Sequence, residues 1–429
     1  MTRAQRNYIT GICTIVLIAA LIWPRFGQAE SIKIPDVGET LPQEIENGLS
    51  YLLELVQDKG AAFNPALIIP LLDFAAKGTS YDPEQLAPKK RQIGFGACLR
   101  AEVKAPLERI LRYAYNPQIP CFVVYPNVLR LSGWYPDSDI VTRKIELWNE
   151  LSSIDQPLLL WGREYEENTP DLFSGAYYRY DLDRLVILMK HEGKQVLISV
   201  SKMPAPSQVG KKAVIIDDKN WNYFYSGIKG IARRFISPLE TYIYDSASIQ
   251  IIYQTDPAGP RTLVMLYKWL KAGWADLNLV RRSHIYEGGI RFIQGLKEVM
   301  ESKDLPDSDV FAQGLDQLEA LSEAEIDAKI RSYSQKFESI AKENKEMSQK
   351  DFARIISNGG YAKVLNREER LGVLALEYFK NQLGKTALVD FDSLSPVESI
   401  LAKSGTEVLP PTAKPLRSEV FRKNFPRFF

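Results

Sequence analysis

Histidine is scarce in this sequence, and the scarcity removes several classes of site. The 429 residues contain two histidines, His191 and His284. A three-histidine zinc site is therefore excluded, and no cysteine cluster can replace it. His284 and Glu287 could share a helix face, although a lone pair of this kind is usually structural. His191 follows an apolar run beside a turn, so we expect it to be exposed. The sequence predicts no metal site and no cofactor.

Complete catalytic and nucleotide-binding motifs are also missing. Residues 384–386 (Gly-Lys-Thr) look like the end of a phosphate loop, but Phe379 stands where the first glycine is required. Residues 94–96 lack the third glycine of a dinucleotide loop. Residues 218–222 match part of a calcium loop, yet Lys229 replaces its glutamate. A Gly-x-Ser-x-Gly nucleophile elbow is absent. An enzymatic activity therefore has no specific support, and we assign no catalytic residue.

An excess of charge of one sign is lacking as well. The chain has 54 basic and 53 acidic side chains, for a formal net charge of +1. Because nucleic-acid binding needs a concentrated basic surface, we expect no nucleic-acid partner. Several carboxylates lie close together in sequence, and we interpret them as solvated surface groups: Asp137 and Asp139, Asp181 and Asp183, and Glu164, Glu166 and Glu167.

One long apolar run is present, and it lies at the N-terminus. Arg3 and Arg6 precede the apolar stretch 8–23, and the small residues Gly27 and Ala29 follow it. This order of charge, apolar run and small residues is typical of a secretory signal peptide. We therefore predict a signal peptide over 1–29, with cleavage near Ala29 and release into the periplasm or the medium. The alternative is a protein that the uncleaved N-terminal helix anchors in the inner membrane.

Export affects the interpretation of the cysteines. Only Cys98 and Cys121 remain after cleavage at the predicted site. An oxidising compartment permits a disulfide between them. Free cysteine is also a frequent core residue, so two buried free thiols are the alternative.

The pattern along the chain divides the mature protein into three structured regions. Apolar residues at helical spacing predict helices over 40–76. Alternating patterns predict consecutive strands over 175–202, with a hairpin turn at Glu192-Gly193. Capping boxes at Ser322 and Asn366 predict helices near the C-terminus. The expected divisions are a signal peptide (1–29), an N-terminal helical segment (36–90), an α+β domain (91–304), a C-terminal helical region (305–410) and a basic tail (411–429).

The central region resembles a known superfamily. The run from Ala101 through Pro106 to Arg112 looks like the first strand and first helix of the START and Bet v 1-like, or helix-grip, domains. The likeness continues in residues 260–271, followed by a helix that begins near His284, and it covers 92–304. The resemblance implies an α+β fold in which a central antiparallel sheet grips a long helix, flanked here by N-terminal and C-terminal helices. Two further blocks, 175–185 and 217–227, are similar to exported proteins of Gram-negative bacteria, and that similarity implies no activity.

Helix-grip domains commonly leave a cavity for a lipid or another apolar molecule, and the resemblance implies one here. Alternate strand positions share one face of a sheet, so aromatic pairs such as Tyr178 and Tyr180 could line it. The candidates for the cavity lining are Tyr178, Tyr180, Tyr242, Tyr244, Tyr253, Met265 and Tyr267. An aromatic-rich solid core is the alternative.

Two functions from different classes follow. The first is an exported, non-catalytic protein that binds a hydrophobic small molecule or lipid in a central cavity. The second is a cell-envelope interaction protein that acts through its C-terminal helices and basic tail. The helix expected over 322–344 carries an apolar seam that either packs on its own domain or binds an envelope protein; the seam consists of Ile326, Ile330, Tyr333, Phe337 and Ile340.

Overall fold

The computed structural model describes most of the chain between its two ends. The described residues are 34–36, 38–77, 86–172, 174–233, 236–255 and 259–391. The predicted signal peptide and the predicted basic tail lie outside them. The described residues, which end at Phe391, belong to one compact unit. None of their helices combines the length and the apolar character needed to cross a membrane.

The described part of the chain contains helices at both ends of the sequence and a block of strands between them. The helices are α1 (Gln43–Leu55), α2 (Ile69–Lys77), α3 (Leu107–Ala114), α4 (Asp139–Thr142), α5 (Leu147–Glu150), α6 (Arg282–Met300), α7 (Ser308–Glu319), α8 (Glu323–Ala341), α9 (Lys350–Ile356), α10 (Tyr361–Val364) and α11 (Arg367–Gln382). Short 3₁₀ helices occupy Pro65–Leu67, Cys121–Val123 and Ser357–Gly359. The predicted helical stretch 40–76 is thus two helices, because Gly60 and Pro65 interrupt it.

The strands confirm most of the extended segments expected from the alternating pattern. They are β1 (Glu39–Thr40), β2 (Leu86–Ala87), β3 (Phe95–Val103), β4 (Leu129–Trp134), β5 (Leu158–Asn168), β6 (Ala176–Tyr177), β7 (Arg179–His191), β8 (Lys194–Lys202), β9 (Lys211–Asp217), β10 (Asn222–Lys229), β11 (Ile231–Arg233), β12 (Ile236–Leu239), β13 (Tyr242–Gln254), β14 (Thr262–Trp274) and β15 (Leu277–Asn278). The β7–β8 hairpin turns at Glu192 and Gly193, as predicted, and both have positive φ, at 48° and 73°.

The strands form one large antiparallel sheet and three small ones, which confirms the α+β class. The large sheet runs in the order β3–β14–β13–β8–β7–β5–β4, and β15 pairs with the end of β14. The first long strand therefore lies beside the last one. Between β8 and β13 the chain forms the hairpin β9–β10, which also pairs with β6, and the pair β11–β12. Strands β1 and β2 pair in parallel near the N-terminus.

One face of the large sheet is filled by the N-terminal helices. Successive side chains of a strand point to opposite faces, so alternate positions face α1 and α2. Helix α1 presents Leu49 and Leu52 to this core, and both are fully buried. The strand residues that share the core include Leu185, Ile187, Val196, Ile198, Ile249, Ile251, Met265 and Tyr267. This face is solid, with apolar side chains from both layers.

The long helix α6 lies against the other face, at the β3 edge of the sheet. Ile285 and Tyr286 of α6 pack with Ala97 and Leu99 of β3 and with Leu266 of β14. The backbones approach closely because Gly289 of α6 has no side chain. A Cβ atom added there would lie 2.4 Å from the Leu99 Cδ1 atom. Farther along the same face, residues of α6 and of the central strands line the cavity described below.

Two adjacent glycines of α6 provide a test of this packing. We expect Gly289→Ala to destabilise the protein, because overpacking a core costs about 1–3 kcal/mol. We expect Gly288→Ala to stabilise it by about 0.5–1 kcal/mol, because alanine favours the helix and no atom lies within 4 Å of an added Cβ. Urea unfolding of the two variants measures both effects. Equal stabilities would contradict the close approach at Leu99.

The apolar seam of α8 packs against residues of its own chain. The helix begins with the predicted capping box, in which the Ser322 amide donates to the Glu325 carboxylate at 2.8 Å. Along the seam, Phe337 is fully buried, and its ring stacks 5.2 Å from that of Tyr361 and 6.4 Å from that of Phe224 on β10. The seam residues Ile326, Ile330 and Tyr333 are buried as well.

A buried charge cluster joins helix α11 to the edge strand β4. The Arg130 Nη1 atom lies 2.7 Å from a Glu167 oxygen and 3.2 Å from a Glu369 oxygen. The guanidinium also lies 3.8 Å from the centroid of the Tyr225 ring. Glu369 has a second role, because its carboxylate accepts from the Asn366 amide in the predicted capping box of α11. Arg130 is thus one of the contacts that attach α11 to the sheet, together with Arg179 of β7, which pairs with Glu368 at 2.8 Å.

Candidate functional site

A large cavity lies between the sheet and helix α6. Its volume is about 1570 Å³, which exceeds the range of roughly 300–1,000 Å³ that is usual for small-molecule pockets. The floor consists of side chains from β5, β7, β8, β13 and β14, and α6 covers it from above. The cavity reaches the surface beside Leu172, which is 47% exposed, and Lys350.

Most of the cavity wall is apolar. The sheet residues that face it alternate with the residues of the solid core, so each central strand serves both faces. Opposite them, Phe292 of α6 stacks on Tyr125 with ring centroids 4.0 Å apart. The apolar lining includes Val128, Leu129, Leu182, Ile243, Leu266, Leu270, Ile285 and Phe292.

A row of polar side chains crosses this apolar floor. Lys268 of β14 pairs with Ser248 of β13, Ser248 with Ser201 of β8, and Ser201 with Arg184 of β7. Residues that pair directly across antiparallel strands point to the same face, so the four side chains all face the cavity. The Ser201 and Ser248 hydroxyl oxygens lie 2.7 Å apart. Each of these four strands thus contributes one polar side chain to the row.

Arg184 is neutralised by two glutamates of the neighbouring strand β5. Its Nε donates to Glu164 at 2.7 Å, and its Nη2 lies 3.4 Å from Glu166. Its Nη1 donates to the Ser199 hydroxyl at 3.0 Å. The Tyr180 hydroxyl donates to Glu166 at 2.9 Å. The arginine is therefore fixed in position and its charge is compensated.

The structure corrects the interpretation of three glutamates as solvated surface groups. Glu164 is 4% exposed, Glu167 is also buried, and Glu166 is partly buried in the cavity wall. Burial raises the pKa of Glu164 to about 7, although Arg184 acts in the opposite direction. These carboxylates occur inside the protein because each is paired with an arginine, which offsets much of the desolvation cost.

Lys268 differs from Arg184 because no carboxylate of the described residues lies within salt-bridge distance of its amine. Its side chain lines the cavity, and its amine makes no hydrogen bond or salt bridge with any described residue. Burial lowers the pKa of Lys268. Because an amine taken out of water without a partner is costly, this position is expensive to maintain unless a ligand or water contacts it.

Two further polar atoms of the cavity floor lack partners among the described residues. The Gln250 Nε2 atom and the Ser246 Oγ atom are buried without a hydrogen bond. Gln250 is 6% exposed and Ser246 is buried too, and both belong to β13 and line the cavity. Both atoms are covered by neighbouring protein atoms, so they are polar atoms inside the cavity wall and are not open to a molecule in the cavity.

The predicted cavity residues fall into three groups, of which Tyr242 and Tyr244 form the third. Tyr178 and Tyr180 line the cavity. Tyr253, Met265 and Tyr267 lie in the solid core on the opposite face of the sheet, because they occupy the other set of alternate positions.

Tyr242 and Tyr244 are displaced by an irregularity in β13. The pairing with β14 shifts between Ile243 and Asp245, so that one extra residue is inserted. A bulge of this kind reverses which side chains face inward. Ile243 therefore lines the cavity, and the ring of Tyr244 contacts Lys271 instead, 5.3 Å from its Nζ atom.

The disulfide that the sequence permitted is not formed. Cys98 and Cys121 are both free. Cys98 faces the solid core, where it packs with Tyr267, and Cys121 faces the cavity, where its thiol lies 3.3 Å from the Ser132 hydroxyl. The sheet separates the two thiols, and burial raises the pKa of both.

The two histidines lie far from each other in the fold. His191 is not exposed as expected: its side chain is 9% exposed, and its Nε2 atom lies 2.9 Å from Asp73 of α2. With Glu192 these residues place three potential ligand atoms within 4.8 Å of one another. Because Asp73 already pairs with both His191 and Lys77, we assign no metal to this group. His284 lines the cavity, and burial lowers its pKa.

Sequence reasoning missed Lys268 and Arg184. The sequence signal that could have identified them is a polar residue within each of four largely apolar strands. These polar residues form one row when the strands pair. Comparison with known proteins does not supply a family: no protein-family model, no curated protein and no solved structure matches this chain.

Proposed function

We propose that the protein binds a hydrophobic molecule or lipid in the cavity between the sheet and α6. The observation that carries the proposal is a mostly apolar cavity of about 1570 Å³ with a row of polar side chains across its floor. Ligand sites are typically concave and mostly apolar, with a few placed polar groups. A solid domain would instead fill this space with side chains, as the opposite face of the same sheet does.

The strand order supports the helix-grip assignment as part of this proposal. In the large sheet β3 lies beside β14, and the remaining strands follow in reverse chain order to β4. Helix α6, which follows the last strands, lies across the same face as the cavity. If the N-terminal segment is a signal peptide, as its pattern predicts, the site would be exposed to the lipids of the cell envelope.

Filling the cavity from α6 should weaken binding. Gly288 lines the cavity, and no atom lies within 4 Å of an added Cβ, so Gly288→Trp can place an indole in the open space. Forcing a ligand and this ring into one volume costs about 1–3 kcal/mol, or roughly 5- to 150-fold in affinity. Titration with the neutral apolar fluorophore 1-aminoanthracene measures the change.

The control for this experiment is Gly288→Ala, which leaves the cavity open and should bind the fluorophore like the wild type. Urea unfolding shows whether the tryptophan variant remains folded. Unchanged binding by a folded Gly288→Trp variant would contradict the cavity as the binding site. Absence of binding by the wild type would contradict the proposed function itself.

A further inference from the structure

We infer that the polar row in the cavity floor is a head-group site, and that the ligand is an amphipathic molecule carrying one carboxylate, with Lys268 as its counter-ion. The inference deepens the proposed function and rests on it. An apolar ligand without a head group would leave Lys268 and the polar atoms beside it buried without partners.

Lys268 is the cation of the row that can accept a new anion. Arg184, three strands away, already contacts Glu164 and Glu166, whereas the Lys268 amine contacts no carboxylate among the described residues within salt-bridge distance. A carboxylate that enters the cavity would replace the water lost by the ammonium with a charge-assisted hydrogen bond. The attraction is strong because the surrounding wall is apolar.

Hydrogen-bond donors lie beside the lysine. Ser248 pairs with Lys268 across the strands, and its hydroxyl is within 2.7 Å of the Ser201 hydroxyl, so one of the two protons remains free to point into the cavity. Gln250 follows Ser248 on the same face of β13, and its Oε1 atom lies 3.4 Å from the Tyr115 hydroxyl. A carboxylate has two acceptor oxygens, and it could bind the ammonium and the free hydroxyl proton together.

The charge balance favours a monoanion over a phosphate dianion. Glu164 and Glu166 line the same cavity as Lys268. In this part of the wall Arg184 and Lys268 carry two positive charges against the two carboxylates, and burial raises the pKa of Glu164 to about 7, so this carboxyl group can hold its proton while an anion binds. A monoanion then balances the remaining charge, whereas a dianion would leave an excess of negative charge beside Glu166.

The space on both sides of the row fits the rest of such a molecule. Leu266 and Leu270 flank Lys268 on β14, and both line the cavity. The head group would therefore lie in the middle of an apolar floor, and the chain would extend over leucines toward the opening at Leu172. This arrangement explains why an apolar cavity contains a lysine at all.

Three ligands with the same chain test the head group. Competition against 1-aminoanthracene compares dodecanoate, dodecyl phosphate and 1-dodecanol on the wild type and on Lys268→Met. We expect the wild type to bind dodecanoate at least about tenfold more tightly than the alcohol and more tightly than the phosphate. Lys268→Met should lose this preference and keep its affinity for the alcohol, and Lys268→Arg should retain the preference.

The matched control is Lys202→Met. Lys202 lies next to Ser201 but pairs with Asp245 and does not line the cavity. It should leave all three affinities unchanged. Equal binding of acid and alcohol by the wild type, or a preference that survives in Lys268→Met, would overturn the head-group site and leave the proposed function standing. Tighter binding of the phosphate would overturn the carboxylate. Binding of none of the ligands, fluorophore included, would overturn both proposals.

Discussion

Arg130→Met should lower the free energy of unfolding by about 3–5 kcal/mol, the usual result of removing one partner from a buried ion pair. The substitution leaves Glu167 and Glu369 buried without their shared cation. It also removes the guanidinium from the face of the Tyr225 ring. Methionine has a similar length and is apolar, so lost packing contributes little. Urea unfolding at neutral pH measures the change.

An exposed arginine provides the control. Arg163 pairs with Asp137 at 2.9 Å, but both side chains are mostly in solvent. Arg163→Met should therefore cost less than about 1 kcal/mol. If Arg130→Met cost no more than this control, the buried cluster would not hold the C-terminal helices to the sheet.

Glu164→Gln should change how stability depends on pH. Burial raises the pKa of Glu164 from 4.5 to about 7, so the folded protein binds this proton more tightly than the unfolded chain does. Between these two pH values ionisation of Glu164 opposes folding, and wild-type stability falls as the pH rises. Glutamine carries no such proton. The stability of Glu164→Gln relative to wild type should therefore be about 2–3 kcal/mol greater at pH 8 than at pH 5.

Urea unfolding of both proteins at the two pH values gives this difference, and all other titrating groups cancel in the comparison. Glu102→Gln is the matched control, because the Glu102 side chain is about half exposed on β3. It should change stability by similar amounts at pH 5 and pH 8. A difference for Glu164→Gln of the opposite sign would contradict a raised pKa.

The sequence predicted much of the fold because local signals and tertiary structure agree there. Strong alternation identified β7 and β8, and the pair Glu192-Gly193 identified the hairpin turn between them, where both residues have positive φ. Capping boxes at Ser322 and Asn366 located the starts of α8 and α11. In each case the determining interactions lie within a few residues along the chain.

The candidate site was predicted less well, because it depends on which face of the sheet each residue occupies. Alternation assigns Tyr180 and Met265 each to one face of the sheet. It does not show which face borders a cavity and which face borders a solid core. The bulge after Ile243 then reverses the assignment of Tyr242 and Tyr244. Its position is set by pairing with β14, which is a long-range contact.

Charge inside the protein was harder still to predict. A glutamate in a strand is usually solvated, and Glu164 is buried only because Arg184, twenty positions later in the sequence, lies beside it. The residues next to Lys268 in the sequence likewise do not indicate that this side chain lines a cavity. Its importance comes from the strands on one side and α6 on the other, which together enclose it.

The alternation of core and cavity residues has a consequence for engineering. Neighbouring positions such as Arg184 and Leu185, or Ser201 and Val200, belong to different faces of the sheet. The residues of the solid core therefore alternate along each strand with the residues that would contact a ligand. A library that varies only the cavity-facing positions would leave the solid core untouched. Such a library would test the proposed binding function with little change to the residues that stabilise the fold.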